Sequence, residues 1–262
     1  PVRLSTTRPV DYLLLDGYSQ QILKREGKSE KLFPPGSILK PILVGLYPQL
    51  ITDKYSKNSG YWACPDVQKI GSTRLWSWKE AMTKSCNGFF LDEKIESWTD
   101  FNQLFKMLKI DSTISSMAQA IGLTPGINLS LSHALQLYSW LTLTEPSIVD
   151  ALLETSMSGT LATLPNSSWF FQQGISLKSG TQRDIKSRPE HSWIVAVGPR
   201  LENNRPSFLA AIHAEGASTH YLLYELYQRL KNISRNNYSA KIQLLNLVPH
   251  NKISLGCSEN RP

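Results

Sequence analysis

Ser37 and Lys40 stand three residues apart at the start of an apolar segment, Ser37-Ile-Leu-Lys-Pro-Ile-Leu-Val-Gly-Leu46. On a helix that spacing puts both side chains on one face, within reach of each other. A serine hydroxyl is a weak nucleophile until a neighbouring base takes its proton. Lysine serves as that base when burial or nearby positive charge keeps its amine neutral. The positive end of the helix dipole acts in the same direction, and it also stabilises an oxyanion forming on a substrate carbonyl. The chemistry this pair predicts is acyl transfer through an ester on Ser37. Alone, Ser-x-x-Lys arises by chance in most long chains, and Ser37 would read as an ordinary helix-start serine. Two further clusters change that reading. Ser85-Cys86-Asn87 ends a helical stretch, and Lys178-Ser179-Gly180-Thr181 closes a run of strand formers.

The elements that must position these groups follow from hydrophobic periodicity. Residues 12–16 and 20–24 flank Gly17-Tyr18 and predict a β-hairpin. Pro34-Pro35-Gly36 then breaks the chain before a buried helix over 37–46, with Pro41 near its first turn, where a missing N–H costs least. Apolar residues three and four apart predict helices over 76–84, 99–109 and 130–141, the last with Ser130 as N-cap. Another helix is expected over 146–156, opening at a proline. The period then becomes strand-like at 174–178, 192–197 and 207–212, followed by a helix over 219–230 and a final strand over 240–248. Two strands, a helical block, three strands and a helix predict an α+β domain. Its expected core is a five-stranded antiparallel sheet flanked by helices, with a mostly helical subdomain.

Bulk composition narrows the function classes. The chain has 262 residues, 41% of them hydrophobic, which is enough to bury a substantial core and excludes a disordered chain. Net charge is +7, suited to an anionic partner such as a cell-wall polymer. Lysines and arginines are scattered, without a basic stripe, so nucleic acid is not an expected partner. The five histidines show no metal-ligand spacing, and the three cysteines, Cys64, Cys86 and Cys257, show none either. Should one bridge form in an oxidising compartment, Cys64–Cys257 is the pair to consider. No apolar run reaches the roughly 18 residues of a membrane span, and no signal peptide opens the chain. For an exported protein, any targeting segment or anchor is expected to lie outside it.

With its three clusters in this order, the chain resembles the transpeptidase domain of penicillin-binding proteins, relatives of the serine β-lactamases. Phe33-Pro-Pro-Gly-Ser-Ile-Leu-Lys-Pro41 is similar to that family's nucleophile segment, and Trp78-Lys-Glu-Ala-Met-Thr-Lys-Ser-Cys-Asn-Gly-Phe89 to its helix ending in Ser-x-Asn. Leu135-Gln136-Leu137, Ser158-Gly159-Thr160-Leu-Ala162 and the strand from Trp193 to Gly198 extend the likeness across roughly residues 11–231. The resemblance implies a domain over 1–231 and a C-terminal extension of unassigned role over 232–262. It implies that Ser37 forms the acyl-enzyme and Lys40 accepts its proton. Ser85 relays a proton to the leaving amine, and Asn87 hydrogen-bonds the substrate amide. Lys178 raises the positive potential, Ser179 and Thr181 hold the substrate carboxylate, and the N–H groups of Ser37 and Thr181 form an oxyanion hole. Gly180 lets the substrate approach the strand edge. No metal or cofactor is implied. The expected activity is D,D-transpeptidation of peptidoglycan stem peptides in a bacterial cell envelope, with β-lactams as covalent inhibitors. A glycosyltransferase or other envelope proteins are the further partners. D,D-carboxypeptidase, β-lactamase and a non-turning-over sensor are the alternatives. The class A Glu-x-x-Leu-Asn segment is missing, which weighs against a β-lactamase.

Overall fold

The computed structural model describes residues 8–57, 64, 72–183, 188–201 and 205–235. Its first apolar run forms β1 (Asp11–Asp16), which turns through Gly17 into the exposed β2 (Ile22–Glu26). The later strands are β5 (Ser176–Arg183), β6 (Pro189–Val197) and β7 (Phe208–Glu215). Together these five form one antiparallel sheet in the order β2-β1-β7-β6-β5. Both faces of its central strands are covered, so their sequences are almost continuously apolar, and side-chain alternation divides them between two cores. Leu13, Trp193, Val195, Leu209 and Ala211 face the helical subdomain. Tyr12, Leu14, Ile194, Ala210 and Ile212 face the opposite core, which is shared with Leu222, Leu223 and Leu226.

Between β2 and β5 lie the elements of the subdomain. They are α1 (Lys40–Leu46), the hairpin β3 (Lys54–Lys57) and β4 (Thr73–Trp76), α2 (Trp78–Thr83) and α3 (Asn87–Leu91). Next come α4 (Thr99–Met107), α5 (Met117–Ala120), α6 (Leu131–Thr144), α7 (Pro146–Ala151) and α8 (Ser167–Gln172). After the sheet, α9 (Thr219–Arg235) runs past Lys231 and covers its outer face. Ser130 caps α6 as expected, and His133 completes the capping box by accepting the Ser130 N–H. Among the described residues no helix is long and apolar enough to cross a membrane.

The α+β architecture and the five strands agree with the sequence reading; several details differ. The expected helix over 37–46 begins as a 3₁₀ turn, Gly36–Leu39, before α1. The expected helix over 146–156 is likewise α7 followed by a 3₁₀ turn, Leu152–Ser156. Neither the β3–β4 hairpin nor α8 was foreseen. The expected strand over 240–248 lies outside the described residues, as does Cys257. Cys64 is bonded to Cys86, with Cα atoms 4.2 Å apart, and not to Cys257. The reason is tertiary: the β3–β4 hairpin folds back over α3 and delivers Cys64 to Cys86, the N-cap of that helix.

Candidate active site

Two prolines and a glycine shape the turn that carries Ser37. Pro35 precedes the 3₁₀ turn and Gly36 enters it at φ +55°, a left-handed conformation that suits glycine. In a 3₁₀ helix three residues complete a turn, so side chains at i and i+3 eclipse. Ser37 is therefore one turn before Lys40, whose N–H donates to the Ser37 carbonyl. The turn is pinned from three sides. Trp193 Nε1 donates to the Pro34 carbonyl at 2.8 Å, and Tyr138 Oη from α6 donates to the Ile38 carbonyl at 2.9 Å. Phe33 pairs its backbone with Leu129 at 2.9 Å in both directions. Strand β5 supplies the remaining wall. A Cβ at Gly180 would lie 2.5 Å from the Pro35 carbonyl oxygen, so only glycine lets the strand approach this closely.

Lys40 is fully buried and reaches the second cluster, donating to Asn87 Oδ1 at 2.6 Å, the Ser85 carbonyl at 2.9 Å and Ser85 Oγ at 3.2 Å. Lys178, also fully buried, enters from β5 and donates to the same Ser85 Oγ at 3.2 Å and to the Ser179 carbonyl at 3.0 Å. One serine hydroxyl thus bridges two lysines. Ser85 lies in the break between α2 and α3 at φ +59°, just past the end of the helix expected over 76–84 and one residue before Cys86 caps α3. The alternation of β5 sends Lys178 and Gly180 towards this cluster and Ser179 and Thr181 to the other side. There Ser179 Oγ meets Thr160 Oγ1 at 2.9 Å, and Thr181 Oγ1 meets Thr219 Oγ1 at 3.1 Å. Ser37, Asn87 and Thr181 stay partly exposed, so a substrate can reach them.

The structure joins Lys40, Ser85, Asn87 and Lys178 by hydrogen bonds and sets Ser37 and Gly180 beside them, while the Ser179 and Thr181 hydroxyls lie on the other side of β5. Sequence reasoning assigned nothing to Thr160 or Thr219. Thr160 lay within the quoted Ser158–Ala162 segment, and its N–H donates to the Thr83 carbonyl at 3.1 Å, tying that segment to α2. Thr219 carried no signal at all, since only the fold places the start of α9 beside β5. Cys86, which has no base partnered with it in sequence, is held in the disulfide and is not a free thiol.

Burial lowers Lys40 well below the usual lysine range, and the positive charge of Lys178 lowers it further. Burial alone takes Lys178 down to about 7. An unfolded chain would hold that lysine near 10.4, so it binds more protons than the folded protein between about pH 7 and that value. Stability from this group therefore rises with pH across that window and is lowest below it. Wild type is expected to gain in urea midpoint over Lys178→Met between about pH 6.5 and about pH 9. A difference that stays flat with pH would show Lys178 to be charged throughout.

No protein-family profile matches the chain, and no curated protein matches it in sequence. Solved structures do match in fold. Pseudomonas aeruginosa PBP2 in complex with WCK 5153 superposes with TM-score 0.63 at 14% identity, over 82% of this chain and 70% of that one. The TLA-3 extended-spectrum β-lactamase superposes with TM-score 0.53 at 13% identity, over 82% of this chain and 87% of that one. A peptidoglycan synthetase from Bifidobacterium adolescentis gives TM-score 0.58 at 12% identity, over 88% of this chain but only 57% of that one. The chain has the fold shared by penicillin-binding proteins and β-lactamases.

Proposed function

We propose that this chain, built on that fold, is a serine D,D-transpeptidase that cross-links peptidoglycan stem peptides. The observation that carries the reading is the buried Lys40, set one 3₁₀ turn from Ser37 and sharing the Ser85 hydroxyl with Lys178. Ser37 Oγ attacks the penultimate D-Ala carbonyl as its proton passes to Lys40. The oxyanion is received by the backbone N–H groups of Ser37 and Thr181, where a lost donor typically costs about 2.7–4 kcal/mol. Lys40 returns the proton through Ser85 to the leaving D-Ala amine, and Asn87 holds the stem amide. Ser179 and Thr181, on the far side of β5, turn their hydroxyls past the edge of that end strand to the terminal carboxylate, in the positive potential of Lys178. An amine from a neighbouring stem then attacks the ester and releases Ser37. The reading implies a place in a bacterial cell envelope and reactivity towards β-lactams, which present a strained amide and a carboxylate to the same groups.

Incubation with a fluorescent penicillin is expected to give one adduct by intact mass, located on Ser37 and missing from Ser37→Ala. With a stem peptide ending in D-Ala-D-Ala, the expected products are free D-Ala and a peptide bonded to the added amine. Release of D-Ala with water as sole acceptor would convert the assignment to D,D-carboxypeptidase. Rapid penicillin hydrolysis without a lasting adduct would convert it to β-lactamase. A folded protein that forms no adduct and hydrolyses nothing would remove the enzyme reading.

A further inference from the structure

Cys86 lies between Ser85 and Asn87, two residues that the proposed mechanism uses, and it is bonded to Cys64. Both sulfurs are out of reach of bulk solvent, Cys86 at 0% and Cys64 at 2% exposure. Cys86 is also the local organiser of the loop. Its N–H donates to the Ala81 carbonyl at 2.8 Å, closing α2, and its Sγ accepts the Phe89 N–H at 3.3 Å, opening α3. Ser85, immediately before it, is held at φ +59°, a conformation that persists in a non-glycine residue only where surrounding structure enforces it.

The segment that follows Ser85 is gripped by the β3–β4 hairpin. Beyond the disulfide, Lys54 Nζ pairs with Glu93 Oε1 at 2.5 Å and lies 4.1 Å above the Phe89 ring. Ser56 Oγ donates to Asp92 Oδ2 at 3.2 Å. The hairpin thus grips α3 at its start through the bridge and near its end through polar contacts. Each lysine reaches Ser85 Oγ at 3.2 Å, the long end of hydrogen-bond range, so a displacement of a few tenths of an ångström breaks both contacts.

We propose that the Cys64–Cys86 disulfide is a positioning clamp for the Ser85–Asn87 segment, and that acyl transfer at Ser37 depends on its being intact. The proposal rests on the acyl-transfer reading above. It makes activity sensitive to thiol redox state. A dithiol reductant opens the bond in two exchanges: one thiolate attacks a protein sulfur to give a mixed disulfide, and the second thiol displaces it. The reductant leaves as a cyclic disulfide, having supplied two electrons and two protons, and Cys64 and Cys86 become thiols. Ser85 is then free to leave its left-handed conformation. Lys40 loses acceptors and gains water, which moves its pKa back up towards the ordinary lysine value.

The test uses the full chain, with fluorescent-penicillin acylation rates measured across pH. Three samples of one preparation are compared: oxidised, reduced with a dithiol that is then removed without air, and reoxidised. Alkylation and intact mass count free thiols, and near-UV circular dichroism with a thermal scan follows the fold. Reduction is expected to slow acylation on the order of tenfold to a hundredfold, in line with misplacing a catalytic group. The acid limb of the pH–rate profile should move to higher pH, and reoxidation should restore both. The double variant Cys64→Ser, Cys86→Ser should match the reduced protein and ignore the reductant. A reduced, folded protein with wild-type rate and an unmoved pH limb overturns the proposal. So does reduction that unfolds the whole chain, since the bond is then a general staple and not a clamp on one segment. If the oxidised protein forms no adduct at all, the acyl-transfer reading falls first and this proposal with it.

Discussion

Replacing Lys40 by methionine is expected to slow acylation of Ser37 by about 10²–10⁴-fold, the usual worth of a positioned general base, while the protein still folds cooperatively. Lys40 is fully buried, and its three acceptors are a backbone carbonyl, a hydroxyl and an amide oxygen, none of them anionic. A buried ammonium without an anion is costly, which favours the neutral amine. A neutral amine has two hydrogens, which serve Asn87 Oδ1 and the Ser85 carbonyl; it then makes no donation to Ser85 Oγ and keeps one lone pair to receive a proton, with Ser37 one turn away to supply it. Methionine keeps the length and apolar stem of the side chain but has no base. It leaves Asn87 Oδ1 and the Ser85 carbonyl without this donor, at about 1–3 kcal/mol each, and it removes the cost of burying an amine. These changes oppose each other, so catalysis should fall far more than stability. Adduct formation rate and near-UV circular dichroism read the two separately. Wild-type acylation by a folded Lys40→Met protein would disqualify Lys40 as the base.

The second large effect lies outside the motifs. Gly122, just beyond α5, has φ +74°, and a Cβ there would overlap the carbonyl oxygen of Gly36. Gly36 cannot retreat, because a Cβ of its own would already lie 2.8 Å from the Thr181 backbone nitrogen. The turn before Ser37 is therefore wedged between the end of α5 and strand β5, with two glycines making the fit. Gly122→Ala should combine backbone strain of about 1–3 kcal/mol with overpacking of about 1–3 kcal/mol. Because the displaced atoms belong to the nucleophile turn, acylation should fall as well. Gly174→Ala is the matched control. Its φ is +65°, but the nearest atom to its Cβ is Pro199 Cβ at 3.4 Å, an ordinary contact. Urea midpoints and acylation rates for the two variants separate strain from wedge. Equal losses in both would show that the contact with Gly36 is relieved by small movements.

How far the chain could be read in advance depended on how local each cause was. Ser37, Lys40 and the strand from Lys178 to Thr181 were legible because a three-residue spacing or a two-residue alternation fixes relative placement without tertiary information. The sheet was legible because its central strands are apolar on both faces. Ser37–Leu39, within the 3₁₀ turn, was expected to be α-helical: apolar spacing over so few residues does not separate a 3₁₀ turn from a first α turn. The strands Lys54–Lys57 and Thr73–Trp76 were missed because they are four residues each and mostly polar. Their contacts with Asp92, Glu93 and Cys86 hold them, and none of these follows from local pattern. The cysteine pairing failed for the same reason, since partners are chosen by proximity in space. Thr219 joins the site only because the start of α9 lies beside β5.

The sheet order also governs when the site can come into being during synthesis. Strand β1 is made early, yet its neighbour β7 is among the last elements, and the Asp11–His213 contact spans 202 residues. The helical subdomain lies wholly between β2 and β5 in the chain, so its elements are complete before β5 is made. Strand β1 must wait with its apolar residues Tyr12 to Leu15 unpaired on the β7 side until the far end of the chain arrives. Lys178 and Gly180 reach the Ser37 turn only in that same closing event. On the proposed function Ser37 is thus made early but armed late: a nascent or partly folded chain carries it without the strand that completes its surroundings, so premature acylation would be avoided by topology alone.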